Sequence, residues 1–241
     1  MTRTARLYAV LAAKFAGALA ASAALAHGDV APQAVDTSAL PSVGEEWLTE
    51  NPYRGMDPEI FARAISIGAS GYNQNCARCH GLEAVSGGLA PDLRYLEAEE
   101  YGDEWYMERY IAGYTQNGVT KMPAFGDLLG QEAGWAIRSY IETRPDDESM
   151  AEQAGALQRT LAMLSGIAEQ VKADPAAYAA VADEVEEARA DLAAIAEKIE
   201  TLSGAPFADS PAHRAAAAID GNPEGVARAA EILTVGLSKA H

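Results

Sequence analysis

Two thiols and an imidazole stand close together in the first third of the chain, at Cys76, Cys79 and His80. These cysteines are the only two in the 241 residues. A Cys-x-x-Cys-His run suits attachment of a c-type haem, because each thiol can add across a vinyl group and the adjacent ring can bind the iron. The sequence therefore predicts one covalently bound haem c, attached through Cys76 and Cys79, with His80 as an iron ligand.

Three other kinds of site also use closely spaced cysteines. Two unrelated core cysteines beside a surface histidine would make the spacing accidental. A thioredoxin-like redox pair needs a βαβ context, and no such pattern surrounds the motif. A structural zinc site needs four ligands, and the sequence holds no second cluster of Cys and His. The motif favours the haem site over these three alternatives.

An iron held by one histidine has a second face that a methionine can occupy. Met122 is the favoured candidate, because Lys121-Met122-Pro123 is expected in a loop between helices and Pro123 fixes the backbone there. Met107 is expected inside a helix, as packing. The remaining candidates are Met56, Met150, Met163, His27, His213 and His241. The alternative for Met122 is a core methionine that fills a gap.

The first residues predict export of the chain. Arg3 and Arg6 precede an apolar run over residues 15–25, which ends in a small-x-small cleavage pattern. We therefore expect residues 1–26 to be a signal peptide, a mature chain that begins at His27, and a periplasmic location. An uncleaved anchor is the alternative.

Charge limits the classes of partner. The chain has 18 Lys and Arg against 35 Asp and Glu. Removal of the leader, which has three basic residues, leaves 15 against 35, a balance of −20. Such a field steers a protein toward basic surfaces and is weakened by salt. It argues against nucleic acid and anionic lipid as partners, and no later segment is long and apolar enough to predict membrane insertion.

Composition and periodicity predict an all-α fold in three parts. These are an extended arm (27–57), a haem-binding domain (58–145) and an accessory helical bundle (146–241). In the domain we expect three helices. The first starts at Asp57-Pro58, the second starts at Asp103 and ends near Asn117-Gly118, and the third covers Gln131–Thr143. No alternating strand pattern is found.

The last part has its own apolar pattern. Steps of four and three residues over 150–171 and again over 181–202 predict an antiparallel helical hairpin. Ser210-Pro211 and Asn222-Pro223 are each expected to start a further helix. No residue there is a favoured iron ligand, so truncation near Arg144 is expected to spare the haem pocket. A partner-docking role for this bundle is the alternative to a purely structural one.

Residues 58–143 resemble a class I c-type cytochrome. The resemblance is carried by Cys-Ala-Arg-Cys-His-Gly, the Gly-Gly-Leu-Ala-Pro-Asp-Leu loop over 87–93, and Met122-Pro123 before a closing helix. The runs at 51–55, 72–75 and 82–88 also resemble the periplasmic cytochromes that accept electrons from PQQ-dependent methanol or ethanol dehydrogenases.

The resemblance implies a set of roles. Cys76 and Cys79 would form the thioethers, and His80 and Met122 would be the axial iron ligands. The Pro91 carbonyl would accept a hydrogen bond from the other ring nitrogen of His80. It also implies that the first helix crosses the last near Tyr140, through Gly71 and Tyr72. The bundle after residue 145 is a departure from the family pattern, so nothing is implied for it.

The implied function is electron transport and not catalysis, since a His/Met iron has no open coordination position. The expected donor is a PQQ-dependent alcohol dehydrogenase, and the expected acceptor is another cytochrome or an oxidase. Two alternatives remain. One is a fixed electron-transfer subunit of a dehydrogenase complex, and the other is a haem sensor or enzyme with an open distal site.

Overall fold

The structure is a computed structural model that describes residues 32–238. The predicted signal peptide, its cleavage before His27, and the last three residues lie outside this range. The helices are α1 (Pro58–Asn75), α2 (Ala77–His80), α3 (Glu100–Ala112), α4 (Gly126–Glu142), α5 (Asp147–Ala173), α6 (Tyr178–Ala196), α7 (Pro211–Ala218) and α8 (Pro223–Ser238). Single 3₁₀ turns lie at Pro52–Gly55, Leu82–Ala84, Leu93–Tyr95 and Pro175–Ala177.

Helices α1 and α4 cross at very short range, and glycine makes this possible. A Cβ added at Gly68 would lie 1.9 Å from the Ala136 carbonyl oxygen, so no side chain fits there. One turn later the rings of Tyr72 and Tyr140 meet with centroids 5.1 Å apart. The predicted crossing of the first and last helices near Tyr140 is confirmed.

The all-α prediction is confirmed for residues 32–238, with one small exception. A two-stranded hairpin, β1 (Tyr114–Gln116) and β2 (Val119–Met122), follows α3. Asn117 and Gly118 have φ values of 52° and 75°, the left-handed pair that a tight hairpin turn requires. The prediction that Asn117-Gly118 ends a helix is wrong, because α3 already ends at Ala112, before Gly113 at φ 70°.

The arm before α1 is fastened into the domain. Asn51 caps the turn at Pro52–Gly55 by accepting from the Tyr53 N–H, and Tyr53 is fully buried. Earlier in the arm, the Leu48 N–H donates to the Gln131 side chain at 2.6 Å. The arm was expected to lie extended, and its last residues instead help to build the core.

Two apolar clusters contain all the buried hydrophobic side chains between residues 32 and 238 except that of Ala133. The first joins α1, α3 and α4 with Tyr53 and Phe125, and the second lies among α5, α6, α7 and α8. Helix starts at Pro211 and Pro223 are confirmed. So is the helical hairpin: its second helix, α6, begins at Tyr178 after a Pro175–Ala177 turn capped by Asp174. No helix within the described range combines the length and apolarity of a membrane span.

Candidate haem site

The motif Cys76-Ala77-Arg78-Cys79-His80 directly follows α1, and its last four residues form the short helix α2. The N–H groups of Cys79 and His80 both donate to the Cys76 carbonyl, at 3.1 and 3.0 Å. The chain then reverses at Gly81, where φ is 82° and an added Cβ would lie 1.9 Å from the Val85 carbonyl oxygen. Only glycine permits this reversal directly after the histidine.

One cavity of about 560 Å³ adjoins the motif. Its wall includes each site residue predicted from the sequence, namely Cys76, Cys79, His80, Pro91 and Met122. The rest of the wall is mainly apolar and aromatic, with Leu93, Trp105, Tyr106, Tyr110, Phe125 and Ile141 among its residues. The size and the apolar lining with few polar groups are typical of a cofactor site.

His80 is buried, with one ring nitrogen already engaged. Its Nδ1 lies 3.0 Å from the Pro91 carbonyl oxygen. A carbonyl only accepts, so Nδ1 carries the proton and Nε2 keeps its lone pair for a metal. This is the tautomer that an iron ligand needs.

Met122 reaches the cavity from the end of β2, directly opposite Tyr114 in the hairpin register. Close packing fixes its backbone, since a Cβ at Gly113 would lie 2.5 Å from the Met122 carbonyl oxygen. Met122 and His80 thus come from separate elements to the wall of one cavity.

The other described candidates for an iron ligand lie outside the cavity wall, and Met56 packs against the first apolar cluster. Met107 is buried in α3 and is absent from the cavity wall. His213 packs against Phe207 with ring centroids 5.1 Å apart. Met150 and Met163 belong to the second apolar cluster. His27 and His241 lie outside the described residues.

Among residues 32–238, the charged residues of the cavity wall are all basic. They are Arg78, Arg109 and Lys121, and none of the described carboxylates lines the cavity although the whole chain is strongly acidic. The Arg109 guanidinium stacks 3.9 Å from the Trp105 ring centroid and pairs with Glu108 at 2.9 Å. Two thiols, a histidine with a free lone pair, a methionine sulfur and an apolar wall fit a group that is largely apolar and holds a metal ion. Haem has these properties.

Burial also sets protonation states around the cavity. It raises the pKa of the Cys76 thiol to about 12, with a smaller contribution from Cys79, so Cys76 is a neutral thiol before modification. Burial likewise raises the pKa of the Tyr106 and Tyr110 hydroxyls. Both stay protonated, and they donate to the Gly134 and Gly130 carbonyl oxygens, each at 3.0 Å.

Two polar networks near the cavity are not evident from the sequence. In the first, Asp103 accepts from Arg138 at 2.7 Å and from Arg54 at 2.9 Å, and it fastens α3 to α4 and the arm. In the second, buried Arg144 pairs with Glu83, just after the motif, and with Asp209. A sequence signal exists for the first network, because Arg138 interrupts the apolar run Ala136 to Ile141 on a buried helix.

Comparison with known proteins gives several matches. The family model described as cytochrome C oxidase, cbb3-type, subunit III matches residues 63–141. Cytochrome c550 of Pseudomonas aeruginosa is 56% identical over 136 residues, which cover 55% of this chain and 91% of that protein. Chloroplastic cytochrome c6 of Chlamydomonas reinhardtii is 31% identical over 147 residues, 60% of this chain and 93% of that protein.

A further match is to a much larger protein. Quinohemoprotein alcohol dehydrogenase ADH-IIG of Pseudomonas putida is 36% identical over 84 residues, 35% of this chain and 11% of that protein. No solved structure shows a significant match to the chain. Because identity to two cytochromes extends over nearly their whole length, and the cavity suits the group that cytochromes carry, the chain belongs to the class I c-type cytochromes, as a monohaem electron carrier with covalently bound haem c.

Proposed function

We propose that this cytochrome is a periplasmic carrier that accepts electrons from a PQQ-dependent alcohol dehydrogenase and passes them to another cytochrome or to an oxidase. The observation that supports a carrier is the position of His80 and Met122 in the wall of one cavity. The donor class is supported by the 84 residues that match a quinohemoprotein alcohol dehydrogenase.

The proposed roles of the site residues follow from their chemistry. Cys76 and Cys79 supply the two thioether sulfurs, and His80 and Met122 supply the two axial ligands. The Pro91 carbonyl accepts a hydrogen bond from His80 Nδ1–H, which fixes the ring and increases its basicity as a ligand. Bound haem iron supplies one-electron redox chemistry, and a methionine ligand raises its reduction potential relative to a second histidine.

The charge distribution refines the expected partner. The total charge alone favours a basic partner, yet the described part of the cavity wall carries Arg78, Arg109 and Lys121 without a carboxylate. A partner that approaches at this wall therefore meets a basic and apolar patch, with Leu89 and Tyr114 exposed on it. We expect an acidic docking surface on the partner at this point, with the acidic remainder of the chain disfavouring other orientations.

Reduction by candidate donors tests the proposed function. Purified holoprotein is mixed with purified PQQ-dependent dehydrogenases, each with methanol, ethanol or a longer alcohol, and haem reduction is followed by stopped-flow absorbance. Rapid reduction by one dehydrogenase–alcohol pair supports the donor class. No reduction by any pair, with reduction by small-molecule reductants intact, would rule it out.

The fixed-subunit alternative has one observation in its favour. A groove of about 800 Å³ lies between the turn after the haem motif and α8, and exposed Leu82, Val85 and Val235 line it. Gel filtration of native periplasm decides between the two. Elution of the cytochrome at the size of the single chain supports a free carrier, and co-elution with a dehydrogenase supports a subunit.

A further inference from the structure

Residues 81–98, here called the proximal segment, carry Pro91, whose carbonyl lies 3.0 Å from His80 Nδ1. Three contacts join this segment to the part of the chain after Pro145. In the first contact, Arg144 forms ion pairs with both Glu83 and Asp209 and so links the two. In the second, Arg94 lies 3.0 Å from Asp147. In the third, the Ala98 N–H donates to the Ser203 carbonyl at 2.8 Å. Asp147 is largely exposed, so the contact through Arg144 is the buried ionic one.

Arg144 is the centre of that contact. Its side chain is fully buried, with Nη1 2.8 Å from Glu83 Oε2 and Nη2 2.5 Å from Asp209 Oδ2. Its Nε donates to the Tyr140 carbonyl at 2.9 Å. Burial disfavours the charged form, but the carboxylates of Asp209 and Glu83 outweigh it and raise the pKa of Arg144. The buried guanidinium is therefore always charged, and it depends on both carboxylates for compensation.

The turn that receives this contact has unfavourable backbone geometry. Glu83 and Ala84 have φ values of 56° and 62°, in the left-handed region that non-glycine residues avoid. Besides Arg144, the Tyr140 hydroxyl donates to Glu83 at 3.1 Å. A turn of this kind persists only where surrounding contacts hold it, and here they come from the end of α4.

Asp209 is itself held in a fixed position. Its backbone N–H donates to the Thr143 carbonyl at 2.8 Å, and the next residue, Ser210, caps α7. The accessory bundle thus presents a carboxylate to Arg144 from a rigid backbone.

We propose that Asp209 is a positioning residue through which the accessory bundle sets the proximal side of the iron site. Through Arg144 and Glu83 it holds the turn after His80, and so it determines how firmly the Pro91 carbonyl engages the His80 Nδ1 proton. The inference rests on the proposed ligation of iron by His80. A firm hydrogen bond makes the ring a stronger donor and favours oxidised iron, so a loosened segment raises the reduction potential.

The test uses full-length holoprotein with four substitutions. Asp209→Asn removes the carboxylate, and Asp209→Glu keeps it. Glu83→Gln removes the carboxylate at the other end of Arg144. Asp220→Asn is the matched control, because it removes the same charge from a bundle aspartate whose partner is Arg228, also in the bundle. Two quantities are measured on each: the midpoint of a redox titration, and the solvent exchange rate of the His80 Nδ1 proton by NMR of the reduced protein.

For Asp209→Asn we expect exchange of the Nδ1 proton at least tenfold faster. We also expect at least a threefold rise in the ratio of reduced to oxidised protein at fixed ambient potential, which is about 28 mV for a one-electron couple. Glu83→Gln changes both quantities in the same direction, while Asp209→Glu and Asp220→Asn stay near wild type. An unchanged exchange rate of the His80 Nδ1 proton in Asp209→Asn overturns the inference. A shift in midpoint potential in Asp220→Asn equal to that in Asp209→Asn also overturns it, because it indicates an effect of charge alone.

If Asp209→Asn yields no holoprotein, Glu83→Gln decides by the same criteria. Wild-type protein without the spectroscopic signature of His/Met ligation would instead refute the proposed iron site, so the two failures are distinguishable.

Discussion

Replacement of Met122 by alanine separates an iron ligand from a packing methionine. Met122 is only half-buried, at the end of a small hairpin, whereas Met107 is buried in α3. Met107→Ala should therefore destabilise the protein by about 2–5 kcal/mol, as for other buried methionines. Met122→Ala should also destabilise the holoprotein, because it removes the proposed sulfur–iron bond together with a partly buried side chain.

The spectroscopic effects should differ between the two variants. Met122→Ala should keep the covalently attached haem but lose the weak near-infrared sulfur-to-iron band of the oxidised protein, and the opened position should bind added ligands such as carbon monoxide after reduction. Met107→Ala should keep the band and remain closed to carbon monoxide.

Near-infrared absorbance and urea unfolding of both variants check these expectations. A band that survives Met122→Ala, or disappears in Met107→Ala, would refute the assignment of Met122 as the ligand. The comparison is informative because both variants lose a methionine side chain, and only Met122→Ala is expected to lose the band.

Three further outcomes are expected. Gly68→Ala should destabilise the protein by about 3 kcal/mol or more, because its Cβ would lie 1.9 Å from the Ala136 carbonyl oxygen. The control Gly166→Ala, whose Cβ would meet nothing within 4 Å, should stabilise it by about 0.5–1 kcal/mol. Urea unfolding of both variants measures the free energy of unfolding. Lys121→Gln should slow reduction by the dehydrogenase and flatten its dependence on salt, and a variant as fast as wild type across ionic strengths in stopped flow would contradict an acidic docking surface. Hydrogen bonds from first-turn N–H groups hold the pKa of Asp146 below its ordinary 3.8. The stability that Asp146 contributes is therefore complete well above pH 3.8 and is lost as the pH falls through the lower pKa of the folded state. The stability of Asp146→Asn, followed by circular dichroism, should fall less steeply with acid than that of wild type, and an unchanged dependence would contradict this.

The haem motif and the helix starts could be predicted because they depend on neighbouring residues. Cys-x-x-Cys-His carries its chemistry within five positions, and an Asp, Ser or Asn followed by Pro starts a helix through local capping. The hairpin depends on equally local information: Asn117-Gly118 is a strong hairpin signal. The pattern nevertheless favours a helix end there, because strands of three and four residues are too short to show an alternation of apolar and polar residues.

The contacts between distant segments could not be predicted. A charged residue at a helix end is ordinarily solvent-exposed, and nothing near Arg144 in sequence shows that Asp209 will meet it in the interior. The expectation that truncation near Arg144 spares the pocket overlooks this pairing, since such a chain loses Asp209 and leaves a buried cation half-compensated. The charge of the cavity wall is similarly hidden, because a count of charges contains no information about their placement.

The two apolar clusters differ in the distances along the chain that they join, and this bears on the order of folding. The second cluster is built within residues 150–233, from four consecutive helices. The first cluster requires Tyr53 and α1 to contact α4. It also requires Phe61 to contact Phe207, which follows the helical hairpin in sequence, and the two ring centroids lie 5.7 Å apart. Closure of long loops is slow, so the bundle should condense early and the residues around 203–209 should join the cytochrome last. The electron-carrying part of the molecule thus reaches its final packing only after the last third of the chain has folded.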